Sequence, residues 1–230
     1  MIHCLLLPEI STKFVDKTTL GSRLLVSVLL LLTLPSFAAS TDKSAPSINK
    51  EIRIVFLGDS LTAGYGVSKD NAYPALVENI LRKKHPTVKV VNAGVSGSTS
   101  ASGVSNMKWQ LKSNPNIVVL ALGANDGLRG FKVTVTEENL DRAIALGLKN
   151  QVKVVLAGMK VPRNYGPQYI KEYDALFGRL AKKHNIPLIP FLLEGVGGVV
   201  EMNQPDGVHP NEKGHEVMAK LVAQHLEKIL

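Results

Sequence analysis

The 230-residue sequence lacks the marks of several protein classes. It has one cysteine, Cys4, close to the amino terminus, so it has no disulfide framework and gives no information about the redox compartment. No Gly-Lys-Ser/Thr follows the first glycine-bearing loop, which excludes a P-loop nucleotide site. The chain also has no long lysine and arginine block and no nucleic-acid-binding motif, so we expect no nucleic-acid partner.

The composition is that of a globular protein with a moderately basic surface. Apolar residues make up 45% of the chain and charged residues 20%, and the length suits one sizeable domain. The 27 lysines and arginines exceed the 19 acidic residues, which gives a net charge of +8. We interpret this excess as a solvated surface; attraction to an anionic substrate or a membrane face is the alternative. We expect a monomer that contacts a membrane surface only transiently.

The first part of the sequence has the pattern of a targeting segment, and we predict a signal peptide over residues 1–38. A basic lead precedes the apolar run Leu24–Leu34, which is shorter than the roughly 20 residues that span a bilayer. Small residues before and at Ala38 predict cleavage there, with export to the periplasm or the medium. The segment before the apolar run is longer than in most signal peptides. The alternatives to a cleaved signal peptide that starts at Met1 are a later start codon and an uncleaved anchor. Polar residues 39–50 are the predicted linker into a domain over residues 51–230.

The chain is organised around a short apolar run that ends just before a serine. Ile52–Leu57 is rich in β-branched residues and sharply bounded by Gly58, which is typical of a buried parallel strand. Ser60 follows the carboxyl end of that predicted strand, where open α/β sheets bind their ligands. A serine hydroxyl is a weak nucleophile alone, so Ser60 needs a base, and the base needs a partner that orients it.

A histidine and an aspartate near the other end of the chain are the candidates for those two roles. Asp206 and His209 lie three residues apart in a loop with one glycine between them and a proline on each side. A carboxylate at that spacing can reach one ring nitrogen and direct the other toward Ser60. Other histidines lack this context, and we interpret His85 and His184 as solvated cations at helix ends.

Apolar runs alternate with helical patterns along the rest of the chain, which predicts an α/β protein with a parallel, doubly wound sheet. The predicted strands after the first cover residues 88–91, 116–122, 152–157 and 187–190. The predicted helices cover residues 72–85 and 99–111, a segment from Thr136, a segment around 169–180, and a last one from about Asn211.

Two further strand ends carry residues that can serve the same reaction. Gly97 follows the second predicted strand and Asn125 follows the third, so both are expected beside Ser60. Attack of a serine on a carbonyl places negative charge on its oxygen, and fixed hydrogen-bond donors must stabilise that oxygen. The candidate donors are the backbone N–H groups of Ser60 and Gly97 and the side-chain amide of Asn125. Gly94 is an alternative to Gly97, but the Ser-Gly context favours Gly97.

Four short blocks in this order resemble the SGNH (GDSL) hydrolase family. They are Gly58-Asp59-Ser60-Leu61, the glycine of Val95-Ser96-Gly97, Gly123-Ala124-Asn125-Asp126 and Asp206-Gly207-Val208-His209-Pro210. The similarity is strongest to the branch of periplasmic thioesterases, lysophospholipases and arylesterases, although Ser98 stands where that branch often has aspartate. The resemblance implies a flavodoxin-like three-layer α/β/α sandwich with a five-stranded parallel sheet. It also implies catalytic roles for Ser60, Asp206 and His209, without a metal or cofactor.

The resemblance further implies a two-step hydrolysis of esters or thioesters. We predict a serine esterase that acts on small-molecule acyl substrates such as lysophospholipids, acyl thioesters or aryl esters. Candidate residues for a wall along the acyl chain are Leu128, Phe131, Met159, Pro162 and Tyr165. The alternatives are a carbohydrate O-acetylesterase, an acyltransferase and a non-catalytic lipid-binding protein, the last of which is at odds with an intact set of candidate catalytic residues.

Overall fold

Five strands form the centre of the protein in the computed structural model, which describes residues 50–230. They are β1 (Ile52–Gly58), β2 (Val88–Gly94), β3 (Ile117–Ala121), β4 (Lys153–Ala157) and β5 (Leu188–Ile189). The predicted signal peptide with Cys4, its cleavage after Ala38, and all but the last residue of the predicted linker lie outside the described residues.

Seven α-helices accompany the strands within residues 50–230. They are α1 (Ser60–Ala63), α2 (Tyr73–Leu81), α3 (Gly103–Gln110), α4 (Ala124–Leu128), α5 (Val133–Lys149), α6 (Pro167–His184) and α7 (Glu212–Leu226). Short 3₁₀ helices lie in several of the connections, among them Ser100–Ser102 before α3 and Arg163–Tyr165 before α6. None of the helices described is both long enough and apolar enough to cross a membrane.

The strands pair in parallel in the order β2-β1-β3-β4-β5. β1 therefore lies between β2 and β3, and Gly58 at its end is in register with Gly94 of β2 and Ala121 of β3. This is the flavodoxin-like order, in which ligands bind outside the carboxyl ends of the strands where the order reverses, between β1 and β3. The prediction of a five-stranded parallel sheet is confirmed, and so is the position of Ser60 at the favoured edge.

Helices cover the two faces of the sheet. α2 packs against α7 on one face, whereas α3, α5 and α6 pack on one another along the other face. β1, β3 and β4 are almost wholly buried because helices cover them on both sides, which explains why their sequences are continuous apolar runs. β2 is the edge strand beside β1 and is partly exposed. The arrangement is the expected three-layer sandwich.

Two boundaries beside β2 differ from the prediction. α2 ends at Leu81 and not at His85, because the next hydrogen bonds tighten to a three-residue spacing: the N–H groups of Lys83 and Lys84 donate to the carbonyls of Ile80 and Leu81 at 3.4 and 3.1 Å. β2 continues past Val91 as far as Gly94, because its backbone stays paired with β1 up to Gly58. Pairing with a neighbouring strand is a tertiary effect, which the local sequence pattern does not express.

The start of α5 was also predicted wrongly. The helix begins at Val133, one turn before Thr136, the residue at which the sequence predicted its start. Thr136 is fully buried in the first turn, and its hydroxyl donates to a carboxylate oxygen of Asp126 at 3.4 Å. A threonine near a helix start usually caps the helix, but here the hydroxyl makes a contact with another element.

A buried histidine connects the two helices on one face of the sheet. Nδ1 of His215 in α7 accepts the backbone N–H of Tyr73 in α2 at 3.2 Å, and the two rings are stacked with centroids 6.3 Å apart. His215 is 1% exposed, and this burial lowers its pKa from 6.5 to about 4, with a smaller contribution from His209. Since Nδ1 accepts a hydrogen bond, the folded protein holds His215 in its neutral form.

We expect this histidine to make the fold sensitive to acid. The unfolded chain protonates His215 near pH 6.5 and the folded chain only near pH 4. The contribution of neutral His215 to the free energy of unfolding is therefore complete above pH 6.5. Stability is then lost as the pH falls through that window, by at most about 3 kcal/mol. Urea unfolding at pH 7 and pH 5 measures the loss. His215→Gln keeps an acceptor and should reduce it, whereas His85→Gln should not; equal losses in both variants would contradict the assignment.

Candidate active site

Ser60 is the first residue of α1 and is separated from the end of β1 only by Asp59. Helix α1 has to pack close to the strand it leaves, and this is why a glycine precedes it. A Cβ atom at Gly58 would lie 2.0 Å from the hydroxyl of Thr62 and 3.0 Å from the carbonyl of Ala121. Gly58, which bounds the predicted strand, is therefore required for space between β1, β3 and α1.

The structure brings Ser60, His209 and Asp206 together from opposite ends of the chain. Nε2 of His209 lies 2.9 Å from Oγ of Ser60, and Nδ1 of the same ring lies 2.7 Å from a carboxylate oxygen of Asp206. The first of these contacts joins residues 149 positions apart. Both distances lie within the range of hydrogen bonds, so a proton can pass from the hydroxyl to the imidazole without rearrangement.

Asp206 lies in an exposed loop, and hydrogen bonds hold its carboxyl in the ionised form. Its second carboxylate oxygen accepts the backbone N–H groups of Val208 and His209, at 2.9 and 3.0 Å. The backbone and ring of His209, followed by the N–H of Val208, lower the pKa of this carboxyl to about 2. The carboxylate is therefore fully charged at neutral pH and fixes the orientation of the imidazole.

Two residues that the sequence analysis did not identify hold the histidine loop in place. The ring of Tyr65 lies over the ring of His209, with centroids 4.6 Å apart. The side-chain amide of Gln204 donates to the carbonyls of Tyr65 at 2.7 Å and of Pro210 at 2.9 Å. These bonds tie the segment after α1 to the loop that carries His209. The nearness of Tyr65 to Ser60 in sequence was a weak signal for this role, and nothing marked Gln204.

His184, the second of the two histidines considered above, is not solvated as predicted. The ring of His184, at the end of α6, is half-buried, and its Nε2 lies 2.6 Å from a carboxylate oxygen of Asp141 in α5. Lys183 contacts the same oxygen at 2.7 Å. These groups, together with hydrogen bonding, lower the pKa of Asp141 against the opposing effect of desolvation. The pair connects two helices and is separate from the Ser60 site.

The candidate hydrogen-bond donors lie at the ends of the three adjacent strands. The Ser60 N–H belongs to the first turn of α1, where helical N–H groups have no partner within the helix. Gly97 lies in a turn closed by the Ser98 N–H, which donates to the Val95 carbonyl at 3.0 Å. Gly97 has a φ of +80°, a backbone conformation that disfavours other residues. In the described part of the chain, neither the Ser60 nor the Gly97 N–H has a hydrogen-bond partner.

Asn125 connects the segments that carry the other two donors. Its side-chain Nδ2 donates to the Ser98 carbonyl at 3.0 Å and lies 3.5 Å from a carboxylate oxygen of Asp59. Ser98 follows Gly97, and Asp59 precedes Ser60. The amide therefore lies between the end of β1 and the loop after β2, next to the segments that carry the Ser60 and Gly97 N–H groups.

The carboxylate next to Asn125 has structural partners. Asp126 is 1% exposed, and its oxygens accept the Ser100 backbone N–H at 2.8 Å and the Ser100 hydroxyl at 2.5 Å. The Asn139 amide, in α5, donates to the same hydroxyl at 3.0 Å. This network joins α4 to the segment that follows Gly97. It supports the site without facing Ser60.

The residues predicted to contact an acyl chain divide into exposed and buried ones. Leu128 and Phe131 are 42% and 41% exposed and lie in the segment that follows Asn125. The hydroxyl of Tyr165 donates to the Leu128 carbonyl at 2.6 Å, and that of Tyr169 donates to the Phe131 carbonyl at 2.9 Å. The two tyrosines thus hold this apolar segment in place.

The prediction that Met159 lines the acyl chain is wrong. It is 2% exposed and belongs to the core, because the chain stays buried for two residues past the end of β4. Pro162 is exposed, at the start of the turn that carries Tyr165. An apolar residue in a sequence can equally line a pocket or fill a core, and only the fold distinguishes the two.

Among residues 50–230, no group of three or more acidic, histidine or cysteine side chains is arranged to bind a metal ion.

The chain is similar to known proteins in both sequence and fold. Residues 56–217 match the profile of the GDSL-like Lipase/Acylhydrolase family. Esterase TesA of Pseudomonas aeruginosa is 39% identical over 158 residues, 68% of this chain and 79% of that protein. Thioesterase 1/protease 1/lysophospholipase L1 of Escherichia coli K12 is 35% identical over 203 residues, 88% of this chain and 90% of that protein. A crystal structure of TesA superposes with a TM-score of 0.75 at 36% identity, covering 77% of this chain and 99% of that one.

Proposed function

The chain belongs to the GDSL-like lipase/acylhydrolase family and is a carboxylic ester hydrolase, and on that premise we propose that Ser60 is its nucleophile toward esters and thioesters of acyl chains. One observation carries the proposal: Oγ of Ser60, the ring of His209 and the carboxylate of Asp206 form a continuous hydrogen-bonded series with separations of 2.9 and 2.7 Å. The names of the two curated relatives, an esterase and a thioesterase/lysophospholipase, support this substrate class.

In the first step, Oγ of Ser60 forms a bond to the acyl carbon while Nε2 of His209 takes the hydroxyl proton. Asp206 accepts the N–H of Nδ1, and this leaves Nε2 as the unprotonated nitrogen that faces Ser60. The imidazolium that results is stabilised by the carboxylate of Asp206, which stays charged because its pKa is about 2.

The carbonyl oxygen of the substrate becomes negatively charged in the same step. The N–H groups of Ser60 and Gly97 and the amide of Asn125 are the donors we assign to it. Their positions are fixed by α1, by the turn at Gly97 and by the bond from Asn125 to Ser98, so no reorganisation is needed when the charge appears.

The second half of the reaction reuses the same groups. Nε2 of His209 gives its proton to the leaving alcohol or thiol as the carbon–oxygen or carbon–sulfur bond breaks, and the acyl group remains on Ser60. A water molecule then gives a proton to His209 and its oxygen adds to the acyl carbon. When this intermediate collapses, the acid leaves and the proton returns to Oγ of Ser60.

The apolar segment after Asn125 favours acyl chains over acetyl groups as substrates. Leu128 and Phe131 present apolar surface in the segment that follows the proposed oxyanion donor, and Tyr165 and Tyr169 fix their backbone. A chain that lies along this surface removes apolar area from water and so gains binding energy with each methylene. We assign Leu128, Phe131 and Tyr165 to this role; Pro162 is retained as a neighbour and Met159 is not.

A chain-length profile tests the substrate class. We expect kcat/KM for p-nitrophenyl esters to rise at least about tenfold from acetyl to octanoyl. Phe131→Ser should lower the octanoyl value and leave the acetyl value unchanged. Trp109→Ser, which removes another exposed aromatic ring, is the matched control and should change neither.

Other outcomes of the same assay favour the alternative functions. A sharp preference for acetyl esters would favour a carbohydrate O-acetylesterase. Acylglycerol formed in place of free acid when glycerol is added would favour an acyltransferase. An absence of turnover with every ester and thioester tested would favour a lipid-binding protein.

The location and assembly that we propose follow from the sequence. A signal peptide over residues 1–38 would export the domain, residues 51–230, through the linker 39–50. We propose a monomer that acts on dispersed substrate and touches membranes through its basic surface. The intact mass of the exported protein, together with its light-scattering mass, tests the cleavage site and the monomer.

A further inference from the structure

The aspartate before Ser60 is buried and has no part in the proton transfers described above. Asp59 is 1% exposed, and its Oδ1 accepts the N–H of Leu61 at 3.0 Å, which makes it the cap of helix α1. Serine and asparagine cap helices as well as aspartate does and carry no charge. Since burying a carboxylate is costly, capping alone does not explain an aspartate at this position.

The other carboxylate oxygen of Asp59 faces the oxyanion side of the site. Oδ2 lies 3.5 Å from Nδ2 of Asn125, whose second neighbour is the Ser98 carbonyl at 3.0 Å. Both neighbours are acceptors, so the NH₂ group of Asn125 and not its oxygen faces them. One N–H is bonded to the Ser98 carbonyl, whereas the other makes only the long contact to Asp59 and can turn to a substrate oxygen. Without Asp59, only the Ser98 carbonyl would hold the amide.

Asp59 thus meets two donors at once, the N–H of Leu61 and the amide of Asn125. An ionised carboxylate offers an acceptor oxygen to each. An asparagine offers one acceptor and one donor, so one of the two contacts becomes a donor–donor clash. A serine hydroxyl reaches the Leu61 N–H but is too short to reach Asn125 as well. Burial raises the pKa of Asp59 to about 6, which still leaves it largely ionised at neutral pH.

We propose that Asp59 is a positioning residue that holds the nucleophile's helix and the oxyanion amide of Asn125 in a fixed relation. The inference rests on the proposed function, because it assigns Asp59 a role through Ser60 and Asn125. Removing the Asn125 contact leaves the amide held by the Ser98 carbonyl alone, so its second N–H is less well oriented. The oxyanion donor is then correctly placed only part of the time, and this affects the transition state more than the bound ester.

Two substitutions separate this role from helix capping. Asp59→Asn and Asp59→Ser both keep a cap for the Leu61 N–H, and both lose the acceptor at Asn125. We expect each to lower kcat for an octanoyl ester by about tenfold, with KM within about twofold and with thermal unfolding that begins well above the assay temperature. The control Asp174→Asn, on the exposed face of α6, should be unaffected. Full activity in both Asp59 variants would overturn the proposal.

A double-mutant cycle shows whether Asp59 acts through Asn125. If it does, Asp59→Asn should cost little further activity in a protein that already carries Asn125→Ala. Effects that multiply would overturn the positioning role. Ser60→Ala distinguishes this outcome from failure of the function itself: if that variant stays active, the assignment of the nucleophile is wrong whatever Asp59 does.

A measurement on the unsubstituted protein covers the case in which neither Asp59 variant folds. Side-chain NMR relaxation reports how rigidly an asparagine amide is held. The proposal requires the Asn125 amide to be as rigid as the buried Asn139 amide in the ligand-free protein. An Asn125 amide as mobile as that of Asn79, on the exposed surface of α2, would overturn it.

Discussion

Replacing Ser60 with alanine is expected to lower kcat for ester hydrolysis by about 10⁴-fold or more, because the acyl intermediate can no longer form. The substitution removes only Oγ, whose partner is Nε2 of His209 at 2.9 Å. The remaining donors can still bind the carbonyl oxygen, so a small residual rate from water attack is expected. The measurement is the steady-state rate with an octanoyl ester, together with the intact mass after treatment with a phosphonate ester.

The matched control is Ser105→Ala, which removes an exposed hydroxyl of α3. It should retain full activity and gain the mass of one phosphonyl group, as the unsubstituted protein does, whereas Ser60→Ala should gain none. Peptide mapping locates the label. A label on another residue, or Ser60→Ala with more than about a hundredth of the original activity, would contradict the assignment of Ser60.

Replacing Asn125 with alanine is expected to lower kcat by about 10²- to 10³-fold while KM changes little. The amide is assigned to the oxygen on which charge develops, so its loss should affect the transition state and not the bound ester. The N–H groups of Ser60 and Gly97 stay in place because the fold holds them, and they account for the activity that remains.

Asn79→Ala, on the exposed surface of α2, is the control for this substitution and should behave like the original protein. The phosphonate reaction gives a second measure, because its transition state also carries a charged oxygen. Asn125→Ala should slow labelling of Ser60 by a similar factor. A change confined to KM, or a loss of thermal stability that accounts for the lost activity, would remove Asn125 from the proposed oxyanion site.

The layout of the fold was largely predictable from the sequence. β1, β3 and β4 are covered by helices on both sides, so nearly every residue of these strands must be apolar, and such short runs stand out between helical patterns. Element ends were less predictable. Thr136 indicated a helix start because of its hydroxyl, but that hydroxyl contacts Asp126, which lies in another element.

The candidate site was predictable to the extent that its residues stand at strand ends. Parallel strands place their carboxyl ends at one edge, so Ser60, Gly97 and Asn125 had to come close once their strands were adjacent. The strand order β2-β1-β3 makes them neighbours. The roles of Tyr65 and Gln204 were not predictable, because the contact of the Gln204 amide with the Tyr65 carbonyl joins residues 139 positions apart.

By itself, the sequence determined the elements of this protein and the chemistry available to it: which runs become strands, that a serine and an asparagine follow two of them, and that a histidine lies near an aspartate in a late loop. Only the tertiary structure decided which of these groups meet. It placed Met159 in the core and Phe131 at the surface, and it set Asp59 against both Leu61 and Asn125. The physical reason is range: propensity and periodicity act over a few neighbouring residues, whereas burial and hydrogen bonding join groups that are distant in the chain.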